Sequence, residues 1–131
     1  MLDDNIVNGY LDLAEQVLKS YFGGKPNRSY HSTSSNHIKV FVRPYYKQLC
    51  IGSSISISAY FRAMSMPVIH ISNPKFPVDS VKNFIISNIP DVLHAVKLGY
   101  EKKEKEYARK QVKMRNRANK IGDLLKTKTN E

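Results

Sequence analysis

The chain of 131 residues has no tryptophan, one cysteine and no hydrophobic run long enough to cross a bilayer. The single Cys50 excludes an internal disulfide framework and is typical of a reducing compartment. Because Cys50 lies in the apolar run at residues 49–51, we expect a buried structural thiol. The acidic N-terminus also lacks the basic start and apolar run of a signal peptide. These absences predict a cytoplasmic protein that does not associate with membranes.

The sequence also lacks recognisable catalytic and cofactor motifs. It has no P-loop and no glycine-rich dinucleotide turn, and the six acids before residue 97 include no close pair that suggests a two-metal or glycosidase site. Four histidines are present without metal-ligand spacing: His31, His37, His70 and His94. We therefore expect a non-enzymatic protein without metal or cofactor. The enzymatic alternative is a metal-independent nuclease in which His31 and His37 meet across a loop.

Helical periodicity is strongest near the N-terminus. Asp3 and Asp4 are good N-caps, and the apolar residues that follow them recur at helical spacing as far as Phe22. Gly23 and Pro26 then predict the end of this helix.

The period changes from 3.6 to 2 after residue 36, which indicates β-strands. We predict a loop at 27–36 with a short strand around Tyr30, and strands at 37–43, 47–51, 54–62 and 67–72. Gly52 and Ser53 are interpreted as a turn or bulge. Alternation places Ile38, Val40 and Val42 toward the core.

Two helices are predicted after the sheet, a short one at 78–89 and a long one at 91–125, with Pro90 in the first turn of the second. The expected fold is therefore α+β, with an N-terminal helix, an antiparallel sheet of three to four strands, a short helix and a long basic C-terminal helix. We assign residues 1–98 to a compact domain and 99–131 to a basic helical extension that projects from it or packs on it.

Positive charge is concentrated in that last helix. Residues 97–128 contain twelve cations and four acids, a net charge of +8 out of +10 for the whole chain, and 107–121 contain no acid. Nucleic acid is the commonest partner of such a surface. The candidate phosphate-binding residues are Lys102, Lys103, Arg109, Lys110, Lys113, Arg115, Arg117 and Lys120.

The outward faces of the strands form a second candidate surface. On it, aromatic rings alternate with cations, a mixture that suits single-stranded nucleic acid, and Tyr45, Tyr46 and His70 extend it. The residues concerned are Lys39, Phe41, Arg43, Tyr60 and Arg62. The competing interpretation is that Phe41 and Tyr60 are ordinary core residues under a second layer.

A heptad stripe on the last helix indicates another use for it. Tyr100, Tyr107, Met114 and Ile121 recur every seven residues, although charged or small residues occupy the second heptad position at the centre. The leading hypothesis is a small protein that binds DNA or RNA largely without sequence specificity. The alternative is a protein-interaction module, an accessory or inhibitory factor that docks on a larger protein or forms homo-oligomers through the stripe.

Overall fold

The computed structural model of the chain describes residues 1–54, 67–71 and 77–129, with the side chains of the last helix described up to Lys126. The predicted α+β fold is confirmed, although the described sheet has five strands rather than three or four. Residues 55–62 of the predicted strand at 54–62, which include Tyr60 and Arg62, lie outside the described residues. In chain order the elements are α1 (Asp4–Phe22), β1 (Asn27–Ser29), β2 (Ser32–Ser35), β3 (Ile38–Arg43), β4 (Gln48–Ser53), β5 (Val68–His70) and α2 (Val78–Thr129).

Helix α1 begins and ends where its sequence predicts. The Asp3 carboxylate accepts a hydrogen bond from the Asn5 backbone N–H at 2.7 Å, which makes Asp3 the N-cap. Gly23 ends the helix with φ 78°, a conformation that glycine adopts without steric cost. The N–H of Gly23 donates to the Lys19 carbonyl at 2.8 Å. The buried side of α1 consists of Val7, Tyr10, Leu11, Ala14, Val17 and Leu18.

The five strands form an antiparallel meander in the order β1-β2-β3-β4-β5. Ile38, Val40 and Val42 of β3 are buried, as the alternation predicts, and Leu49 and Ile51 of β4 lie beside Val42 and Val40. Both helices contribute buried residues to the same cluster as these five side chains. The sheet therefore has one face covered by α1 and α2, and this face holds the core.

Two predictions about the strands are wrong. Residues 27–36 form the hairpin β1–β2 with Tyr30 and His31 at its turn, rather than a loop with one strand at Tyr30. Gly52 and Ser53 are the last residues of β4 and pair with Lys39 and Ile38. Strand β2 and the end of β4 both pair with β3, and this pairing supplies strand hydrogen bonds in segments whose polar and small residues do not favour strands by themselves.

Arg28 of β1 fastens the edge of the sheet to α1. Its Nη1 lies 3.0 Å from Asp12 Oδ1 and 2.8 Å from Glu15 Oε2, and its Nη2 donates to the Asn8 carbonyl at 3.3 Å. Two of the chain's few acids therefore serve this contact.

The predicted break at Pro90 is also wrong, because α2 continues through it. Pro90 has no N–H to donate toward the Ile86 carbonyl, but both residues are exposed, so water can solvate that carbonyl. The buried positions Ile85, Ile89 and Val92 keep helical spacing across the proline. Packing of these buried side chains keeps α2 continuous, although Pro90 by itself favours two separate helices.

Thr33 provides a test of the core. It is fully buried on β2 opposite Val40, and its hydroxyl has no hydrogen-bond partner among the described residues. We expect Thr33→Val to stabilise the fold by about 1 kcal/mol, because a methyl group replaces an unsatisfied hydroxyl of the same size. Urea unfolding gives the free energy directly.

Thr33→Ser is the matched control, since it keeps the hydroxyl and removes a methyl group, and it should destabilise by about 0.8 kcal/mol. A marked loss of stability in Thr33→Val would show that the hydroxyl is hydrogen-bonded after all.

Candidate nucleic-acid interface

Helix α2 has two halves with different surroundings. Val81, Ile85, Ile89, Val92 and Val96 are buried in its first half. Burial then ends at Gly99, and every residue from 100 to 121 is exposed. At a rise of 1.5 Å per residue, residues 100–129 extend about 45 Å. We call residues 100–129 the projecting segment.

The projecting segment starts beside the turn between β2 and β3. The ring of Tyr100 meets that of His37 edge-on, with 6.2 Å between centroids. Lys97 Nζ lies 4.0 Å from a Glu101 carboxylate oxygen one helical turn later. Every residue from Tyr100 to Ile121 is exposed, so the described residues bury little of this part of the projecting segment.

Four cations lie along one side of the projecting segment. Arg109, Lys113, Arg117 and Lys120 follow one another at intervals of four, four and three residues, which aligns them on a helix. All four are exposed, and none makes an ion pair with another described residue. We call these residues the cationic row; it is about 17 Å long.

The heptad residues lie on a different side of the same segment. Tyr100, Tyr107, Met114 and Ile121 are all exposed, with Tyr107 and Met114 each at 69%. At 100° per residue, this apolar stripe is about a third of a turn away from the cationic row. One ligand can therefore contact the row while another contacts the stripe.

The other candidate cations divide between these sides. By helical spacing, Lys102 lies on the side of the cationic row, seven residues before Arg109. Lys103 and Lys110 lie between the row and the stripe, and Arg115 lies beyond the stripe.

On the sheet, the structure brings Lys39, Phe41 and Arg43 together on the face away from the helices. Lys39 Nζ is 5.7 Å and Arg43 Cζ is 5.5 Å from the centroid of the Phe41 ring, so both cations interact with its π-system. Phe41 is half-buried and lies outside the main hydrophobic cluster. It is therefore not part of the core beneath the helices.

Cys50 pairs with Phe41 across β3 and β4 and is fully buried, as the apolar run predicts. Burial raises the pKa of the Cys50 thiol, and the nearby charge of Arg43 opposes that shift. A raised thiol pKa lowers the thiolate fraction at neutral pH, which is unfavourable for a nucleophile.

The structure does not bring His31 and His37 together. His31 lies in the turn before β2 and His37 in the turn after it, so the length of β2 separates them. Within the part of the chain that is described, no three His, Cys, Asp or Glu side chains are placed to hold a metal ion.

A cleft of about 390 Å³ opens between α1 and α2. Its lining contains no carboxylate, imidazole or thiol and consists of Gln16, Val17, Ser20, Tyr21, Lys82 and Ile86.

Among the described residues, no helix is both long and apolar enough to cross a membrane.

Comparison with known proteins adds no functional information. No protein-family model matches the chain, and no curated protein or solved structure is significantly similar to it. Function must therefore be inferred from the surfaces described above.

Limited digestion with trypsin tests the proposed boundary between the domain and its extension. A helix of this length without tertiary contacts opens easily, so the lysines and arginines of the projecting segment should be cut first. We expect the first peptides released, identified by mass spectrometry, to come from cuts between Lys102 and Lys120. Equally fast cleavage at Lys19 in α1 would contradict this boundary.

Proposed function

We propose that this chain is a small non-enzymatic protein that binds nucleic acid through the cationic row of its projecting segment. The observation that carries the proposal is that four aligned cations stand in solvent without acidic partners among the described residues. Keeping like charges together in one row costs free energy, which an anionic ligand would recover.

The dimensions of the row suit a phosphate backbone. One strand of duplex DNA carries a negative charge every 3.4 Å along its axis, so the row of about 17 Å spans several phosphates. Contacts to phosphates carry no direct sequence information. Binding through the row is therefore largely independent of sequence and applies to DNA and RNA alike.

Salt dependence of binding tests the role of the row. We expect the affinity for a duplex to fall steeply with salt, because each neutralised phosphate releases counterions. In the variant Arg109→Gln/Lys113→Gln/Lys120→Gln, the slope of log K against log [salt] should become shallower by about two to three units. Fluorescence anisotropy with a labelled duplex measures both slopes.

The matched control is Lys19→Gln/Lys25→Gln/Lys82→Gln, which removes the same charge from the compact domain. It should change the slope by less than about one unit, because its residues lie away from the row. Absence of binding at low salt, or equal effects of the two variants, would rule out binding through the row.

Exposure of the apolar stripe favours a second candidate function, docking on another protein. Apart from Tyr100, which contacts His37, its residues cover no part of the described domain, and Tyr107, Met114 and Ile121 are more than half exposed. A partner helix that packed along the stripe would bury them.

Charge argues against pairing of the stripe with itself under ordinary conditions. Lys103 and Lys110 flank the stripe on one side and Arg115 on the other. Two copies paired through the stripe would place these like charges together in either helix orientation. A protein partner for this face would therefore be acidic.

Self-association at high salt tests whether the apolar stripe of one chain can pack against that of another. At physiological salt we expect a monomer of 15.0 kDa. Near 1 M salt, where screening removes most of the repulsion, dimers should appear in sedimentation experiments. Tyr107→Ser/Met114→Ser should abolish them, whereas Val112→Ser, which lies off the stripe, should not. Dimers that persist in the double variant would contradict this role.

A further inference from the structure

Two turns that are distant in sequence lie at the same end of the sheet. The turn between β1 and β2 contains Tyr30, and the turn between β3 and β4 contains Tyr45 and Tyr46. The carbonyl of His31, next to Tyr30, accepts a hydrogen bond from the Val42 N–H at 2.9 Å, which fixes the first turn beside the end of β3. The two turns are centred two strand spacings apart, about 10 Å.

The three tyrosines at these turns are far more exposed than packing would leave them. Tyr30 is 80% exposed, Tyr45 79% and Tyr46 70%. Turns are ordinarily built from Gly, Pro, Asn, Asp and Ser, so turn geometry does not call for aromatic rings here. The Tyr30 ring stacks on that of His31 at 3.8 Å with 26° between planes. We call Tyr30, Tyr45 and Tyr46 the tyrosine end.

Two cations flank the tyrosine end. Arg43 is the last residue of β3 and Lys47 lies in the turn that follows, and both are exposed. No acid occurs between residues 16 and 78. The Leu2 N–H donates to the Pro44 carbonyl at 3.2 Å, which brings the N-terminal segment to the second turn, and the carboxylate of Asp3 in that segment caps α1. Exposed rings with cations beside them are the arrangement that binds single strands, where bases stack on rings and cations hold the backbone.

We propose that the tyrosine end stacks unpaired bases, so that the protein binds single-stranded nucleic acid through a surface separate from the cationic row. This inference rests on the proposed function and specifies the form of its ligand. Duplex bases are already stacked on one another, whereas unpaired bases present free faces to the rings. With about 10 Å between them, the two turns can each take a base from one strand.

The outer row of β3 continues from the tyrosine end across the sheet. Arg43, Phe41 and Lys39 project on one face in that order and cover about 13 Å. The outer row of β3 ends next to His37, whose ring touches that of Tyr100 at the start of the projecting segment. A strand held by the tyrosine end would follow these cations toward the basic helix.

Serine substitution of the three rings tests the proposal. The probes are labelled oligo(dT) and a DNA duplex of equal length, and the variant is Tyr30→Ser/Tyr45→Ser/Tyr46→Ser. We expect affinity for oligo(dT) to fall roughly tenfold or more, because each stacked base contributes substantially to binding. Affinity for the duplex should change less than about twofold, and the salt slope for oligo(dT) should not change, since tyrosines neutralise no phosphates.

Tyr30→Phe/Tyr45→Phe/Tyr46→Phe is the matched control, because it keeps the ring faces and removes only the hydroxyls. It should bind oligo(dT) within about threefold of the parent protein. An abasic strand of the same length should bind the parent about as weakly as oligo(dT) binds the serine variant. Unchanged thermal unfolding of that variant would confirm that the rings are not needed for folding.

The outcomes separate this proposal from the one on which it rests. If the parent protein binds both probes and the serine variant binds oligo(dT) as tightly as the parent does, base stacking on the tyrosine end is overturned. Binding through the cationic row then stands. Equal losses for duplex and oligo(dT) would likewise overturn selection of unpaired bases. If the parent binds neither probe at low salt, both proposals fail together.

Discussion

The one apolar face that packs against the helices belongs to a small sheet, and its limited area determines the rest of the structure. Five strands span about 24 Å, which two helices packed side by side at 8–10 Å nearly fill. Strands such as β3 and β4, six residues each, are about 20 Å long, whereas the packed half of α2, residues 78–99, is about 33 Å long. The apolar surface is therefore used up by the time α2 reaches Gly99. The helix continues into solvent because this apolar face offers it no further cover.

Sequence periodicity predicts the parts of the fold in which each side chain's environment repeats along the chain. It identifies α1 and the core-facing side of β3. It fails where a partner element decides the structure. The polar hairpin β1–β2 depends on pairing with β3, and the continuity of α2 at Pro90 depends on packing of Ile89 and Val92.

The candidate surfaces show the same division. Helical spacing alone aligns Arg109, Lys113, Arg117 and Lys120, but only the structure shows that their side of α2 is uncovered. The tyrosine end is beyond sequence reasoning, because Tyr30 is separated from Tyr45 by two strands. Sheet topology places them at neighbouring turns. Tyr45 and Tyr46 follow Arg43 closely in the sequence, and this combination could have indicated a binding surface. Tyr30 gave no such signal.

The absence of a break at Gly99 has a mechanical consequence. A flexible glycine-rich linker would let the basic arm sample a wide volume around the domain, which dilutes one contact surface with respect to the other. A continuous helix instead sets the direction in which the projecting segment leaves the domain, through the buried packing of Val92 and Val96. A polyanion bound to the cationic row as proposed would therefore approach the sheet from a narrower range of directions than a flexible linker would allow. Under that proposal, core packing would influence how the ligand meets the sheet, in addition to stabilising the fold.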